Sequence, residues 1–232
     1  MKKKETRSLD QLVSEQLARW HTQRAAHEKA MAEEKPKPCL TMSIDPGSGG
    51  VEIAKRLAPL LGMDLLGSEI IQRIAESAEK SEEAVKSLDE KETSKLNSWL
   101  SSLFATQHLT PDEYLRHLTR VFGAISKYGN AMLLGRGAQY ILPRETTFRV
   151  RVIAPLDVRI EKAAKMTKSS RKDAEDFILK MEYDRRTFVE QYFHRDVTNP
   201  LDYDLVVNTE NLSVDAAVAT IQAAFNAKFQ EK

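Results

Sequence analysis

A three-layer α/β fold is what this sequence predicts: a parallel sheet of about five strands with helices on both faces, preceded by a helical arm. Three observations carry that expectation. Short apolar runs recur between residues 39 and 207, and each is followed by a stretch whose apolar residues return at helical spacing. The runs are apolar throughout rather than alternating, as strands covered on both faces read. Several end in glycine, aspartate or asparagine turns, where a strand hands over to a helix.

The elements follow in order. Ser8 and Gln11 have capping-box spacing, and Leu9, Leu12, Val13, Leu17 and Trp20 form one apolar stripe. From His21 the chain turns to Ala, Glu and Lys, and Pro36 and Pro38 stop any helix. Residues 1–37 therefore read as a helical extension and linker, and residues 38–232 as the main domain. The stripe must cover the domain behind it, a partner or a second copy of the chain.

Cys39 to Ile44 is the first strand, and Ile53, Ala54, Leu57, Ala58 and Leu61 mark a helix that Gly62 caps. Asp64 to Leu66 reads as a short strand and Ile70 to Ala75 as a helix. The charged stretch from Glu79 to Lys95 has weak periodicity and is expected on the outside. Thr110 as N-cap, Pro111 at the first position and Glu113 predict a helix carrying Leu115, Leu118, Val121, Phe122 and Ile125. Ala131 to Leu134 and Phe148 to Ala154 are strands, the second followed by Pro155 and a helix. Ser170 and Asp173 cap a long helix, Leu205 to Val207 is the last strand, and Ser213 to Phe225 the last helix.

Composition narrows the function. Apolar residues make up 41% and charged residues 30% of the 232, the balance of a soluble globular chain. Lys plus Arg number 35 against 34 Asp plus Glu, too even to gather nucleic acid or anionic membrane by charge. The opening MKKKETRSLDQ lacks the apolar run of a secretory signal, and no stretch approaches the ~20 apolar residues that span a bilayer. The single cysteine, Cys39, falls in a predicted buried strand, so a reducing, cytoplasmic setting is expected.

Ligands of a parallel sheet lie beyond the carboxyl ends of its strands. There Gly47, Ser48, Gly49 and Gly50 let backbone amides converge, and the helix starting at Val51 aims its positive end at the same place. The phosphate-binding consensus G-x-x-x-x-G-K-[ST] has a lysine inside such a turn. Here Ile44 stands at its first glycine, Gly50 at its lysine, and Val51 brings no hydroxyl. The loop alone is equally a strand-to-helix turn with no ligand. In "LLGRGAQYILP", Arg136 emerges between two glycines at the same edge, placed to grip a phosphate or to pair with a helix-end carboxylate. In "KMEYDRRTFVEQYFHRD", Glu182, Arg185 and Arg186 share one side of a helix, with Asp184 beside them. No His, Cys or carboxylate spacing marks a protein-held metal site.

In their order and spacing, the GSGG turn running into IAKRLAPLLG, the GRG, APLDVRIEK, the acidic and arginine cluster, and YDLVVNT resemble the cytidylate kinase-like family. The resemblance covers roughly residues 41–225 and implies a P-loop kinase fold that uses ATP and Mg2+ on a nucleoside monophosphate. It implies that Gly47, Ser48, Gly49, Gly50 and Val51 hold the donor phosphates, with Asn208 and Thr209 near the donor base. Arg136 would hold the acceptor phosphate; Arg159, Lys162, Arg171, Arg185 and Arg186 would form a cationic side closing over the transferring group. Glu182 or Asp184 would meet the acceptor nucleoside. Glu69 is what remains of an acidic and arginine motif, since Gly67 and Ser68 fill its other places. Three readings follow: phosphate transfer to a pyrimidine monophosphate such as CMP or dCMP, a nucleotide-binding regulatory protein of weak or no activity, or an interaction scaffold with an empty site. Lys55 and Arg56 are the nearby cations available to replace the lysine.

Overall fold

The computed structural model of the protein describes residues 8–29, 38–86, 88, 93–94, 97–98, 101 and 112–229. The chain divides into two compact units. The first comprises residues 1–37 and 67–129, the second residues 38–66 and 130–232.

The second unit is a five-stranded parallel sheet: β1 (Cys39–Ile44), β2 (Asp64–Leu66), β3 (Ala131–Leu134), β4 (Thr147–Ile153) and β5 (Leu205–Asn208), in the order β2-β3-β1-β4-β5. Leu40 pairs with Met132 on one side of β1 and with Phe148 on the other, which fixes the register. The face formed by Leu40, Met42, Met132, Phe148, Val150 and Val152 packs on α2 (Gly50–Leu60), through Ile53 and Leu57, and on α9 (Val214–Phe229), through Ile221 and Phe225. Gly62, at φ +63°, ends α2 with bonds from its own amide to Pro59 and from Met63 to Ala58, a Schellman closure.

The other face departs from expectation. β4 reads TFRVRVI, and although Phe148, Val150 and Val152 lie in the apolar core, Arg149 and Arg151 are buried on the opposite side. A buried guanidinium requires partners. Arg149 grips Asp204 through Nη2 to Oδ1 at 2.8 Å and Nε to Oδ2 at 3.3 Å. Arg151 donates to Ser43 Oγ at 3.2 Å and Asp45 Oδ1 at 2.8 Å. This central strand is therefore not apolar on both faces.

Three more helices and a short 3-10 turn complete this unit's elements that bear on function: α6 (Ala138–Ile141), α7 (Leu156–Thr167), α8 (Arg171–Phe193) and the turn at Pro200–Asp202. Ser170 caps α8, accepting from the Asp173 amide. The α7–α8 hairpin closes on Ile160, Ala163, Ala174 and Ile178.

The first unit is helical: α1 (Leu9–Lys29), α3 (Ser68–Ala75), α4 (Ala78–Lys86) and α5 (Glu113–Tyr128). The expected capping box forms, with the Ser8 amide on Gln11 Oε1 at 2.8 Å and the Gln11 amide on Ser8 Oγ at 3.2 Å. Val13, Leu17 and Trp20 are buried, α1 packs on α3 and α4, and Trp20 stacks on Tyr128 at 6.5 Å. The stripe is thus covered by its own chain. The charged stretch is not wholly external: Ser81 and Ala84 of α4 are fully buried, and Ser81 Oγ meets His117 Nδ1 at 2.6 Å. The N-cap of α5 is Asp112, which accepts from the Tyr114 amide at 2.6 Å; Thr110 and Pro111 lie outside the described residues.

Candidate functional site

At the carboxyl edge of the sheet, Asp45 extends the β1 ladder by donating its amide to the Val152 carbonyl. The chain then turns through Gly47, at φ +81°, and Gly49, at φ +85°, into α2. These left-handed positions suit glycine. A Cβ at Gly47 would stand 2.6 Å from the Arg159 carbonyl oxygen, so the close approach of α7 also requires the bare backbone.

Within the turn, Ser48 donates to Asp45 O, and Glu52 and Ile53 both donate to Gly49 O. No hydrogen bond among the described residues uses the amides of Gly47, Gly49, Gly50 or Val51. The Ser48 hydroxyl is buried without a hydrogen-bond partner among them. A helix start with unengaged donors and an orphaned hydroxyl fits an anion.

Buried groups hold the turn in this shape. Arg159, only 5% exposed, donates to Pro46 O at 3.3 Å, Ala154 O at 3.0 Å and Glu182 Oε2 at 3.1 Å. Thr209 Oγ1 donates to Ser48 O at 2.7 Å, and Lys162 donates to Thr209 O at 3.3 Å. Asn208 turns back on its own chain, accepting from the Glu210 amide. Arg159 and Thr209 therefore shape the loop, with their side chains committed inside the protein.

The second glycine turn runs at positive φ through Gly135, Arg136 and Gly137. A Cβ at Gly137 would lie 2.2 Å from Phe193, which excludes any larger residue. Arg136 itself sits in the left-handed region, a conformation that costs ordinary residues and concentrates at functional positions. Its guanidinium stacks 5.4 Å from the centre of the Phe188 ring.

From α8, Arg185 Nη1 donates to the Ile44 carbonyl at 2.5 Å. Lost solvation lowers its pKa, Asp45 opposes that, and neighbouring Arg136 adds to it, so these two guanidiniums feel each other. Glu182 is bound by Arg159 and, at 3.4 Å, by Arg186, whereas Asp184 is exposed. Arg171 pairs with Asp157 and Glu161 on α7. Glu69 is exposed on the first turn of α3, in the helical unit.

Two residues of this cluster escape a sequence reading. Asp45 and Arg151 form a buried pair whose only sequence signal is the alternation inside β4. Burial raises the pKa of Asp45; Arg151 and Arg159 pull it down, Glu182 pushes it up, and Arg185 pulls it down, with a net rise. Around the turn, the described residues set Arg136, Arg151, Arg159, Arg185 and Arg186 against Asp45, Glu182 and, near Arg151 and Arg186, Asp196, a surplus of positive charge. Such a surplus invites an anion.

The sequence matches the cytidylate kinase-like family over residues 39–211. This chain belongs to that family. It is accordingly a nucleotide-kinase-like protein, and the five-stranded parallel sheet flanked by helices agrees with the expected fold. Among solved structures it is similar to an uncharacterised protein from Eubacterium ventriosum, at 20% identity and TM-score 0.61, covering 83% of this chain and 99% of that one. It also matches shikimate kinase from Bacteroides thetaiotaomicron, at 14% identity and TM-score 0.44, covering 82% and 98% of the two chains. Shikimate kinase from Acinetobacter baumannii, in complex with shikimate, gives 14% identity and TM-score 0.41, with 84% and 95% covered. No curated protein matches the chain. No helix among the described residues is long and apolar enough to cross a membrane.

Proposed function

We propose that the chain binds ATP at the Gly47–Gly50 turn and transfers its terminal phosphoryl group to a pyrimidine nucleoside monophosphate such as CMP or dCMP. The observation that carries this reading is the convergence of unengaged turn amides and surplus arginines at one sheet edge. Bound there, ATP would supply the phosphoryl group, and the protein's part is positioning and charge neutralisation.

In this reading the amides of Gly47 to Val51 hold the donor phosphates, and Asn208 and Thr209 border the base. Arg136, pre-set by its two glycines and Phe188, takes the acceptor phosphate. Arg185 and Arg186 face the transferring group. Arg159 works by fixing the turn and Glu182, and Glu182 rather than exposed Asp184 meets the acceptor. Among the described residues no three His, Cys, Asp or Glu gather as a metal cage, and Val51 offers no hydroxyl. Mg2+ would arrive held by the nucleotide phosphates, the usual mode for this ion. A lone cysteine, which can form no internal disulfide, supports a reducing, cytoplasmic setting; burial raises the Cys39 pKa to about 11 through lost solvation and leaves the thiol unreactive.

A second reading is a nucleotide-binding regulatory protein without turnover, favoured by Gly50 in place of lysine. A coupled ADP-release assay over CMP, dCMP and UMP, beside calorimetry with a nonhydrolysable ATP analogue and Mg2+, separates the two. Turnover that falls roughly 10²–10³-fold in Arg136→Ala, the effect of losing one transition-state donor, is expected. Binding without turnover supports the second reading, and absence of both overturns the nucleotide assignment.

A further inference from the structure

Two departures from the phosphate-binding consensus, Ile44 for its first glycine and Gly50 for its lysine, are in contact. A Cβ built on Gly50 would lie 2.6 Å from Ile44 Cγ2, 2.8 Å from Cγ1 and 3.2 Å from Cδ1. Two of these distances are shorter than real Cβ contacts show, and both belong to the branched root of the isoleucine rather than to a free side-chain end. Ile44 is also packed against the apolar core, so it has little room to retreat. The isoleucine thus occupies the space in which a lysine side chain would have to begin. The missing glycine and the missing lysine are one feature.

The same residue is where a replacement charge arrives. The Ile44 carbonyl accepts from Arg185 Nη1, across 141 residues of sequence. A guanidinium has five N–H donors, so the bond to Ile44 anchors it and leaves a planar fork for phosphate oxygens. The other cations near the turn are placed differently: Arg56 is bound to Glu52 and Asp215, while Lys55 is exposed on α2. Arg159 and Arg151 are buried with their partners.

We propose that Ile44, Gly50 and Arg185 act as a unit that replaces the loop lysine, with Ile44 closing the lysine's place and Arg185 serving the outer phosphates of the bound nucleotide from α8. This rests on the nucleotide assignment above and names the residue that makes a lysine-free turn competent.

The test is calorimetry with a nonhydrolysable ATP analogue and Mg2+ on the full chain, with circular dichroism to follow folding. Arg185→Ala should weaken binding roughly 10- to 100-fold, as loss of a charge-assisted contact does. Gly50→Lys added to Arg185→Ala should recover nothing, because Ile44 blocks it, and should lower Tm. Ile44→Ala, Gly50→Lys and Arg185→Ala together should regain at least about tenfold in affinity, whereas Ile44→Ala with Arg185→Ala should not. The proposal is overturned if Arg185→Ala binds as wild type, if lysine at 50 rescues with Ile44 in place, or if the folded triple variant fails to recover. Should the triple variant not fold, Arg185→Lys and Arg185→Gln decide. Affinity kept by Lys and lost by Gln supports the replacement, and equal loss overturns it. Failure of the wild type to bind the analogue instead defeats the underlying nucleotide assignment.

Discussion

Arginine is used in opposite ways at the two edges of this sheet. At the amino edge Arg149 is matched: its fork closes on Asp204, which also accepts from the Arg149 amide and from Lys228 Nζ at 3.1 Å. At the carboxyl edge the arginines outnumber their carboxylates, and Arg185 makes do with a carbonyl. The two aspartates record the contrast. Burial alone would raise the pKa of Asp204, and the bonds from Arg149 and Lys228 reverse this to a net fall. For Asp45 burial prevails over its arginines and the pKa rises. Neutralised charge is structural; unbalanced charge marks the edge built to receive something.

The largest effect is expected from Asp204→Asn. It leaves Arg149, 5% exposed, without its counter-charge, and loss of one partner of a buried pair costs about 3–5 kcal/mol. Because the folded pKa of Asp204 is lowered, its stabilisation is present above the unfolded value near ~3.9 and disappears as pH falls through the folded value. Denaturant unfolding should therefore show a large gap between wild type and variant at pH 7 that narrows below pH ~4. Affinity for a nonhydrolysable ATP analogue should not change. A variant as stable as wild type at neutral pH would remove the structural half of the contrast.

Asp45→Asn should do the reverse on a smaller scale. A carboxylate whose folded pKa is raised contributes stability below its unfolded value and loses it as pH rises through the folded one, so at pH 7 its charge is a burden on the fold. An isosteric amide keeps contact with Arg151 and removes negative charge beside the turn. At pH 7 stability should hold or rise slightly, in contrast to the loss in Asp204→Asn, and calorimetry should show the ATP analogue bound several-fold more tightly, a change on the order of 1 kcal/mol. Weaker binding would mean that Asp45 serves the ligand itself.

What the sequence made legible was local. The Ser8–Gln11 box, the Gly62 closure and the Ser170 cap are each set by residues within five positions, and all three form where expected. What stayed hidden depends on distance along the chain. Phe148, Val150 and Val152 make β4 read as apolar, while the partner that makes Arg149 tolerable lies 55 residues later. Ile44 and Gly50 read as two separate departures because no rule of spacing says that one side chain fills the other's space. Arg136 was visible as a cation between two glycines and Arg185 as one of a cluster on a helix, but the Ile44 carbonyl that anchors Arg185 belongs to the folded backbone. On the helical side, the periodicity of α1 announced a buried stripe without naming α3 and α4 as its cover.

The smallest effect sharpens the carboxyl-edge reading by exclusion. With Lys55, Arg56 is one of the two cations that follow the lysine position most closely in sequence, and distance along the chain alone would make either the substitute. The fold turns Arg56 elsewhere: Nε bonds Glu52 at 2.8 Å, and Nη1 bonds Asp215 of α9 at 2.8 Å, with all three side chains well exposed. Exposed pairs of this kind contribute little, since solvent and salt screen them. Arg56→Ala should leave Tm and ATP-analogue affinity at wild-type values, in the same calorimetric series where Arg185→Ala loses its binding. If Arg56→Ala weakens the analogue instead, the ion pairs with Glu52 and Asp215 are broken when nucleotide binds, and the substitute charge comes from α2 rather than α8.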